Sequence, residues 1–499
     1  MHSKTVEGSA SIFDRIEKWG NKLPHPVSLF FILTVGLLLV SAIGSYLGWS
    51  YQLPDQPEQT INNLISEQGL RNWLSGSIQA FISFPPLGII IIAMIGIGIA
   101  DASGLIGYAV QRAIKHAGTW QLTSTILLLG VLSNIVGSVG YIVLIPLACR
   151  AYIAAGRSPL AGLATAFAGV AGGTHATFFI TTYDIVIAGI STSALNLLHP
   201  DLTVSPLANY YFLSASVILL VAVGTVVSIK FVEPRLSRGE YRNPQHLSLT
   251  PSTENDRALK VAGAVFISAI GLILFSALSE NGWLAPANPE QLARSEVIKG
   301  LPILVSFVFG LSGMVFGFVS GKFRREQDII KACEQSLSQL GLFLLIMFFA
   351  SQLIFTFKLS NLAGLLAVNL SDMLAVLSIE GPVLVIILVL FSAVLNIFMG
   401  SPVVQWSVMA PVFVPTLLLA GLPIELIQVA FRIGDSVTNI ISPLFGYLGL
   451  ILATAQQYQG HAKLGTLVSM MLPFSMAFLI MWTSLLVIWV YVLEWPLGI

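Results

Sequence analysis

The chain has 499 residues, 55% hydrophobic and 10% charged, with a mean hydropathy of +0.85 and no formal net charge. A soluble domain carries roughly 25% charged residues, so these charges are too few to cover a water-facing surface, and a bilayer is the natural solvent. The charge balance points to no nucleic-acid partner, and two distant cysteines, Cys149 and Cys333, argue against a disulfide framework or a CxxC metal site.

The segment 1–25 is polar up to Lys22 and lacks a short apolar stretch ending in A-x-A, so it reads as cytoplasmic, without a cleaved signal peptide. About 20 apolar residues cross a hydrocarbon core of roughly 30 Å. Clear stretches of that kind run near 26–48, 86–110, 207–232, 259–279, 300–321, 338–357 and 467–494. Four less regular regions, 120–148, 159–199, 381–420 and 425–456, carry Gly, Pro, Asn, Ser and charges at what would be membrane depth.

Lys and Arg flanks stay on the cytoplasmic side. Lys4, Arg15, Lys18 and Lys22 put the N-terminus inside, and Arg112 and Lys115 close the second span on the same side. Arg150 and Arg157 close region 120–148 there too, which makes it a re-entrant hairpin. Region 159–199 then crosses outward, and 207–232 returns to Lys230, Arg235, Arg238 and Arg242. Spans 259–279 and 300–321 go out and back, and 338–357 goes out. Region 381–420 becomes a second hairpin entered from outside, 425–456 crosses inward to Lys463, and 467–494 goes out. Arg71, Arg294, Lys299 and Lys358 are left outside and Arg432 within a span. The expected fold is an all-α polytopic membrane protein with about nine transmembrane helices plus two re-entrant hairpins, one domain over 1–499.

Regions 120–199 and 381–456 match each other. The first hairpin carries Ser133-Asn134-Ile135, Gly137-Ser138-Val139-Gly140 and Pro146; the second carries Leu395-Asn396-Ile397, Gly400-Ser401-Pro402 and Pro411. Each precedes a span with a broken middle, Gly172-Gly173-Thr174-His175-Ala176-Thr177 in one and Gly434-Asp435-Ser436-Val437-Thr438-Asn439 in the other. One hairpin opens inward and the other outward. This is an inverted-topology repeat whose breaks meet near the midplane, as in secondary transporters. Irregular backbone at that depth needs a cavity or packed protein around it, and the helix ends at a hairpin tip can hold ions and polar substrates. Kinks in packed helices are the plainer reading of either break alone; two matched breaks with equivalent Asn residues favour the functional one.

Arg432 and Asp435 are three residues apart and share a helix face. An isolated charge at the bilayer centre costs at least about 2.5–3.5 kcal/mol. The two read either as a structural ion pair or as a functional set, with Asp435 carrying a coupling ion or proton and Arg432 tuning it or meeting an anionic substrate. Asp184 is the only acid in the first broken span and has no evident local cation. It reads as a proton carrier or as a solvated residue near the outer interface. His175 reads as a substrate contact, a protonation site or a packing residue. Asn134 and Asn396 would bind substrate or cap half-helices, and Ser401 and Asn439 join them from the second hairpin tip and the second break. Trp406 reads as an interfacial anchor or as an aromatic wall for a flat substrate. No Walker A sequence, HExxH, supported GxSxG or TVGYG-like filter occurs, so an ATP-driven pump, a membrane hydrolase and a potassium channel lack motif support. The expectation is a transporter of a small molecule rather than an enzyme, with no cofactor beyond H+ or Na+ as the coupling ion.

Several stretches carry a family resemblance. They are Ile16-Glu17-Lys18-Trp19-Gly20-Asn21-Lys22-Leu23-Pro24-His25-Pro26, Phe84-Pro85-Pro86-Leu87-Gly88, Ser133-Asn134-Ile135, Gly140-Tyr141 and Val232-Glu233-Pro234-Arg235-Leu236. The most specific is Arg432-Ile433-Gly434-Asp435-Ser436-Val437-Thr438-Asn439-Ile440-Ile441-Ser442-Pro443. With these the chain resembles, over nearly its whole length, the AbgT family of p-aminobenzoyl-glutamate transporters. The resemblance implies a homodimer in the bacterial inner membrane, with nine spans and two hairpins per subunit. It implies transport of p-aminobenzoyl-glutamate or related folate fragments, or export of sulfonamide antimetabolites by a proton-driven antiporter. It also implies a bound sodium ion, near Asn396, Gly400 and Asp435, and transport roles at Asp184, Asn396, Trp406, Arg432, Asp435 and Pro443. The chain departs from the family pattern in three places, all at the inferred site. Gly137-Ser138 stand where the family has Ser-Asp; Thr174, His175 and Thr177 replace Phe, Ser and Asn; Val403 and Gln405 replace a Ser and a Lys.

Overall fold

The computed structural model describes residues 26–53, 57–116, 121–136, 140–200, 202–236, 253–279, 282–285, 300–338, 340–460 and 462–499. The segment 1–25, expected to be cytoplasmic, the departures at Gly137 and Ser138, and the flanking Arg294 and Lys299 lie outside those residues. Helix α1 is Pro26–Tyr46, followed by a two-residue antiparallel ladder of β1, Ser50–Tyr51, and β2, Gln59–Thr60. Helix α2, Glu67–Ile82, starts at Ser66, whose hydroxyl accepts from the Gly69 amide. Helix α3, Pro85–Ser103, stops at a left-handed Gly104, and α4, Leu105–His116, follows. The span expected over 86–110 is therefore shorter. Beyond Gly104 the residues alternate polar and apolar with helical spacing, which suits a helix lying along an interface.

The first hairpin is α5, Leu122–Ser133, a 3-10 turn at Asn134–Val136, a π-type turn at Gly140–Leu144, and α6, Ile145–Ala154. The broken span after it is α7, Pro159–Val170, non-helical chain over 171–181, and α8, Thr182–Leu195. Helix α9, Tyr210–Val227, continues through a π-type turn into the short α10, Glu233–Leu236. Helices α11, Thr253–Leu278, and α12, Leu301–Val319, occupy two of the expected spans, and α13, Glu326–Ser338, leads into α14, Gly341–Ser360. Helix α15, Leu362–Val376, had no counterpart in the expected topology.

The second hairpin is α16, Gly381–Met399, and α17, Pro402–Leu419. Its tip is Gly400, with φ 61°, where a side chain would also press on the Leu444 carbonyl oxygen at 2.5 Å. Only glycine accommodates both conditions. The second broken span is α18, Ile424–Asn439, non-helical chain over 440–447, and α19, Leu448–Tyr458; α20, Leu464–Tyr491, ends the helical chain.

Among the described residues nine helices are long and apolar enough to cross a membrane. They include both arms of the second hairpin and neither broken span, because the breaks cut those spans into pieces of 11 to 16 residues. The two hairpins also differ in depth. At 1.5 Å per residue, α5 reaches about 18 Å and α16 about 28 Å.

Helices α16 and α18 show why a bilayer is required. In α16, Leu384, Val385, Leu388, Val389, Ser392, Ala393 and Asn396 form one buried stripe. Val383, Ile387, Leu390, Phe391 and Val394 point outward and are exposed, an apolar outer face that water would not tolerate. Helix α18 carries Gln428, Arg432, Asp435 and Asn439, yet is buried from Leu426 to Asn439. This charged helix lies in the middle, packed against α16, α17, α20 and α8. Helix α3 joins this core to the periphery: it packs on α8 through one side and on α12 and α13 through the other.

Candidate functional site

The two halves repeat the same local device. Asn134 Nδ2 donates to the Val170 carbonyl at 2.9 Å and to that of Gly173, 39 residues on, at 3.4 Å. Asn396 Nδ2 donates to the carbonyl of Asp435, also 39 residues on, at 2.7 Å, and to Thr438 Oγ1 and Asn439 Oδ1. Each hairpin asparagine thus satisfies backbone that the following break has freed. Both asparagines are buried, so the capping reading describes their contacts.

The charges pair across the repeat rather than along the helix. Asp435 does not pair with Arg432; its Oδ2 lies 3.1 Å from His175 Nε2 of the first break. Arg432 Nη1 donates to Asp184 Oδ1 of the first half, and Arg432 Nη2 reaches Gln428 Oε1 at 3.4 Å. Asp184 was expected without a cation and has one, because tertiary packing brings α18 against the start of α8. It is buried, not solvated. Its other oxygen accepts from the Thr181 amide and hydroxyl, both at 2.7 Å, which caps α8. A short helical spacing favours Arg432–Asp435 only if nothing better is in reach. Here two cross-repeat partners are: Arg432 and Asp184 compensate each other away from water, and His175 shares a hydrogen bond with Asp435.

Asn439 extends the set, donating to Asp435 Oδ2 at 3.2 Å and to Thr174 Oγ1 at 3.4 Å. Two of the departures from the family pattern, Thr174 and His175, therefore contact Asn439 and Asp435 directly. Thr177 instead bonds locally to Phe179. Gln405, another departure, donates to the Ser392 carbonyl and hydroxyl. Asn396 Oδ1 and Asp435 Oδ1 are buried without a hydrogen-bond partner. Hard oxygen donors of this kind suit a small cation, so these residues fit the implied sodium ion. Among the described residues there is no group of three or more His, Cys, Asp or Glu side chains placed to hold a metal ion.

Trp406 is neither an interfacial anchor nor an open aromatic wall. It has no exposed surface, stacks on Phe431 with centroids 4.4 Å apart, and donates its indole N–H to Ser191 Oγ at 2.9 Å. Gln428 Nε2 donates to the same Ser191 oxygen at 2.8 Å. Pro443 lies half-buried in the second break.

A cavity of about 380 Å³ lies beside this cluster. Small-molecule sites run from about 300 to 1,000 Å³. Both hairpin tips and both breaks reach it, through Ile135, Ser401 and Val403, and through Thr182, Tyr183 and Tyr447. Of the candidate residues only Ser401 lines it; Arg432, Asp435, His175 and Trp406 do not. Tyr183 stands between, lining the cavity while its ring meets that of His175 edge-on at 5.7 Å. Tyr447 stacks on Tyr141 of the first hairpin, with centroids 4.2 Å apart. The opposite wall comes from α3, α13 and α14, which the broken-helix pattern did not flag.

Several residues escaped the sequence reading. Thr181 had a signal, because Thr181-x-x-Asp184 is a capping-box spacing. Gln428, four residues before Arg432, lay on the same helix face. Ser191, Tyr183, Tyr447 and Asp101 had none.

The comparisons with known proteins fit this architecture. The family model described as "AbgT putative transporter family" matches residues 11–499. The chain is 32% identical over 493 residues to the p-aminobenzoyl-glutamate transport protein of Escherichia coli (strain K12), covering 98% of this chain and 96% of that one. The crystal structure of the Alcanivorax borkumensis YdaH transporter, described as having an unusual topology, superposes with a TM-score of 0.91 at 35% identity, covering 95% of this chain and all of that one. Neisseria gonorrhoeae MtrF, described as illuminating a class of antimetabolite efflux pumps, also superposes with a TM-score of 0.91, at 38% identity, covering 97% of this chain and 98% of that one.

Proposed function

The chain belongs to the AbgT putative transporter family, and from that premise we propose that it is an ion-coupled secondary transporter of p-aminobenzoyl-glutamate-like folate catabolites that also exports sulfonamide-type antimetabolites. The observation that carries the reading is the crossed pairing: Arg432 with Asp184 and Asp435 with His175, each pair joining one repeat to the other. A rearrangement of one repeat against the other must break or remake those pairs. An ion or proton that competes for Asp435 or Asp184 then acts on the same contacts that hold the two halves together. Asp435 is the assigned ion carrier, with Asp184 and Arg432 as its counterpart, and H+ or Na+ as the coupling ion.

The substrate would occupy the cavity between α3, α8, α13 and the second hairpin tip. Arg432 is buried and paired, so a substrate carboxylate would instead meet the amino-terminal ends of α8 and α17 at Thr182–Tyr183 and Ser401–Val403. The basic flanks support a bacterial inner-membrane protein with a cytoplasmic N-terminus, and the family supports a homodimer.

The test is counterflow in proteoliposomes with p-aminobenzoyl-glutamate, sulfonamides and unrelated carboxylates, varying pH and sodium separately. Saturable flux driven uphill by one ion gradient is the expected result. Flux that never runs against a substrate gradient would point to a channel and overturn the reading.

A further inference from the structure

One face of α3 forms much of the peripheral wall of the cavity. Ile90, Met94, Ile97, Gly98, Asp101 and Ala102 all line it, spaced as one stripe of a helix. The stripe is held in place by a close approach: a side chain at Gly98 would sit 2.2 Å from Ser336 Cβ on α13. Ser336 in turn donates to the Met94 carbonyl at 2.8 Å. Asp101 follows Gly98 by one turn, near the end of α3, with Gln335 of α13 also on the cavity.

Asp101 differs from every other acid in the candidate set. Asp184 and Asp435 are buried in the core, Asp184 bonded to Arg432 and Asp435 bonded through one oxygen to His175. Asp101 is exposed, and among the described residues its carboxylate makes no ion pair or side-chain hydrogen bond. Lys322 lies near it but faces a second cavity around Gly104. Among the described lining residues of the main cavity there is no Lys, Arg or His, and Asp101 is the one carboxylate. Such a wall accepts hydrogen bonds and repels anions.

We propose that Asp101 is the specificity residue for the aromatic amine of the substrate. The amine N–H donates to the Asp101 carboxylate, the ring lies along Tyr183 and Tyr447, and like-charge repulsion turns any carboxylate tail inward, away from Asp101. This rests on the substrate reading above and deepens it. A folate fragment built on p-aminobenzoate and a sulfanilamide share no tail, but they share the para-amino aryl end. One acceptor at the mouth of the cavity recognises both.

The experiment compares p-aminobenzoyl-glutamate with benzoyl-glutamate, which lacks only the amine, in proteoliposomes of wild type, Asp101→Asn and Asp101→Ala. The readout is the ratio of kcat/KM for the two substrates. One hydrogen bond to a charged group predicts a wild-type preference of about tenfold or more. That preference should fall toward one in Asp101→Ala and to an intermediate value in Asp101→Asn, which keeps the shape and an acceptor oxygen. An equal preference in all three chains overturns the role of Asp101. A wild type that carries both substrates equally also overturns it, while leaving the proposed function standing. A wild type that carries neither overturns the substrate reading, and this inference falls with it.

Discussion

Asp435 and Asp101 are both carboxylates beside the broken helices, and their surroundings differ in every respect. Asp435 sits on the all-round buried α18, with His175 on one oxygen and Asn439 beside it. Asp101 sits near the end of α3, exposed to a cavity that contains no cation among its described lining residues. The core around Asp435 is built of one ion pair, Arg432 with Asp184, and one hydrogen-bonded pair, His175 with Asp435, each linking the two halves of the repeat. The cavity is built of rings, helix ends and one unpaired acid. The lesson is that charges conspicuous in an apolar sequence need not touch the transported molecule. They can hold the two halves of the repeat together, while residues of ordinary type line the cavity wall opposite.

Five substitutions would break or sharpen that contrast. The largest effect is expected in the core: Asp435→Asn abolishes uphill transport while expression and elution in detergent stay normal. Wild-type flux in that variant would remove Asp435 from the coupling mechanism. Next, Arg432→Ala and Asp184→Ala each strand a buried charge, at a cost of about 3–5 kcal/mol in thermal unfolding. The double variant should lose clearly less than the sum of the two, and additive losses would dissolve the crossed pair. Third, Gly98→Ala wedges α3 from α13 and costs about 1–3 kcal/mol. It should raise KM for substrate and leave the ion stoichiometry unchanged; a changed stoichiometry would mean that this wall belongs to the coupling machinery. The smallest effect on transport belongs to Val403→Ser, at the hairpin tip that lines the cavity. Val403 is buried behind that wall, so the added hydroxyl costs about 1–3 kcal/mol of stability, with a few-fold shift in KM. A loss of folding there would show that the tip is packed core rather than cavity wall.

Much of this organisation is legible in the sequence. The apolar runs locate most of the spans, because a residue facing lipid must be apolar whatever its neighbours. The matched Asn134 and Asn396 mark the hairpins, and the structure gives them matched bonds 39 residues onward. Other features were not legible. Helix α15 is apolar but short, and nothing in its composition distinguishes a lateral helix from a loop between spans. The Arg432–Asp184 bond links residues 248 apart, and helix spacing speaks only for neighbours within a turn. Trp406 reads in the sequence as an interfacial anchor or a wall for a flat substrate; Ser191 and Phe431, which enclose it, come from two other helices.

The sequence by itself determined the solvent, the repeat and the places where helices break. These follow from composition and local spacing: backbone without partners cannot face lipid, so each break announces packed protein or a cavity. Tertiary structure alone decided which charge meets which, and which residues face the cavity. Partner choice in a buried core depends on which helices touch, and α18 touches both α16 of its own repeat and α8 of the other. Asp101 carries no mark in the sequence that separates it from any acid at a helix end. Its distinction is the set of unpaired surroundings that α3, α8 and α13 assemble around it.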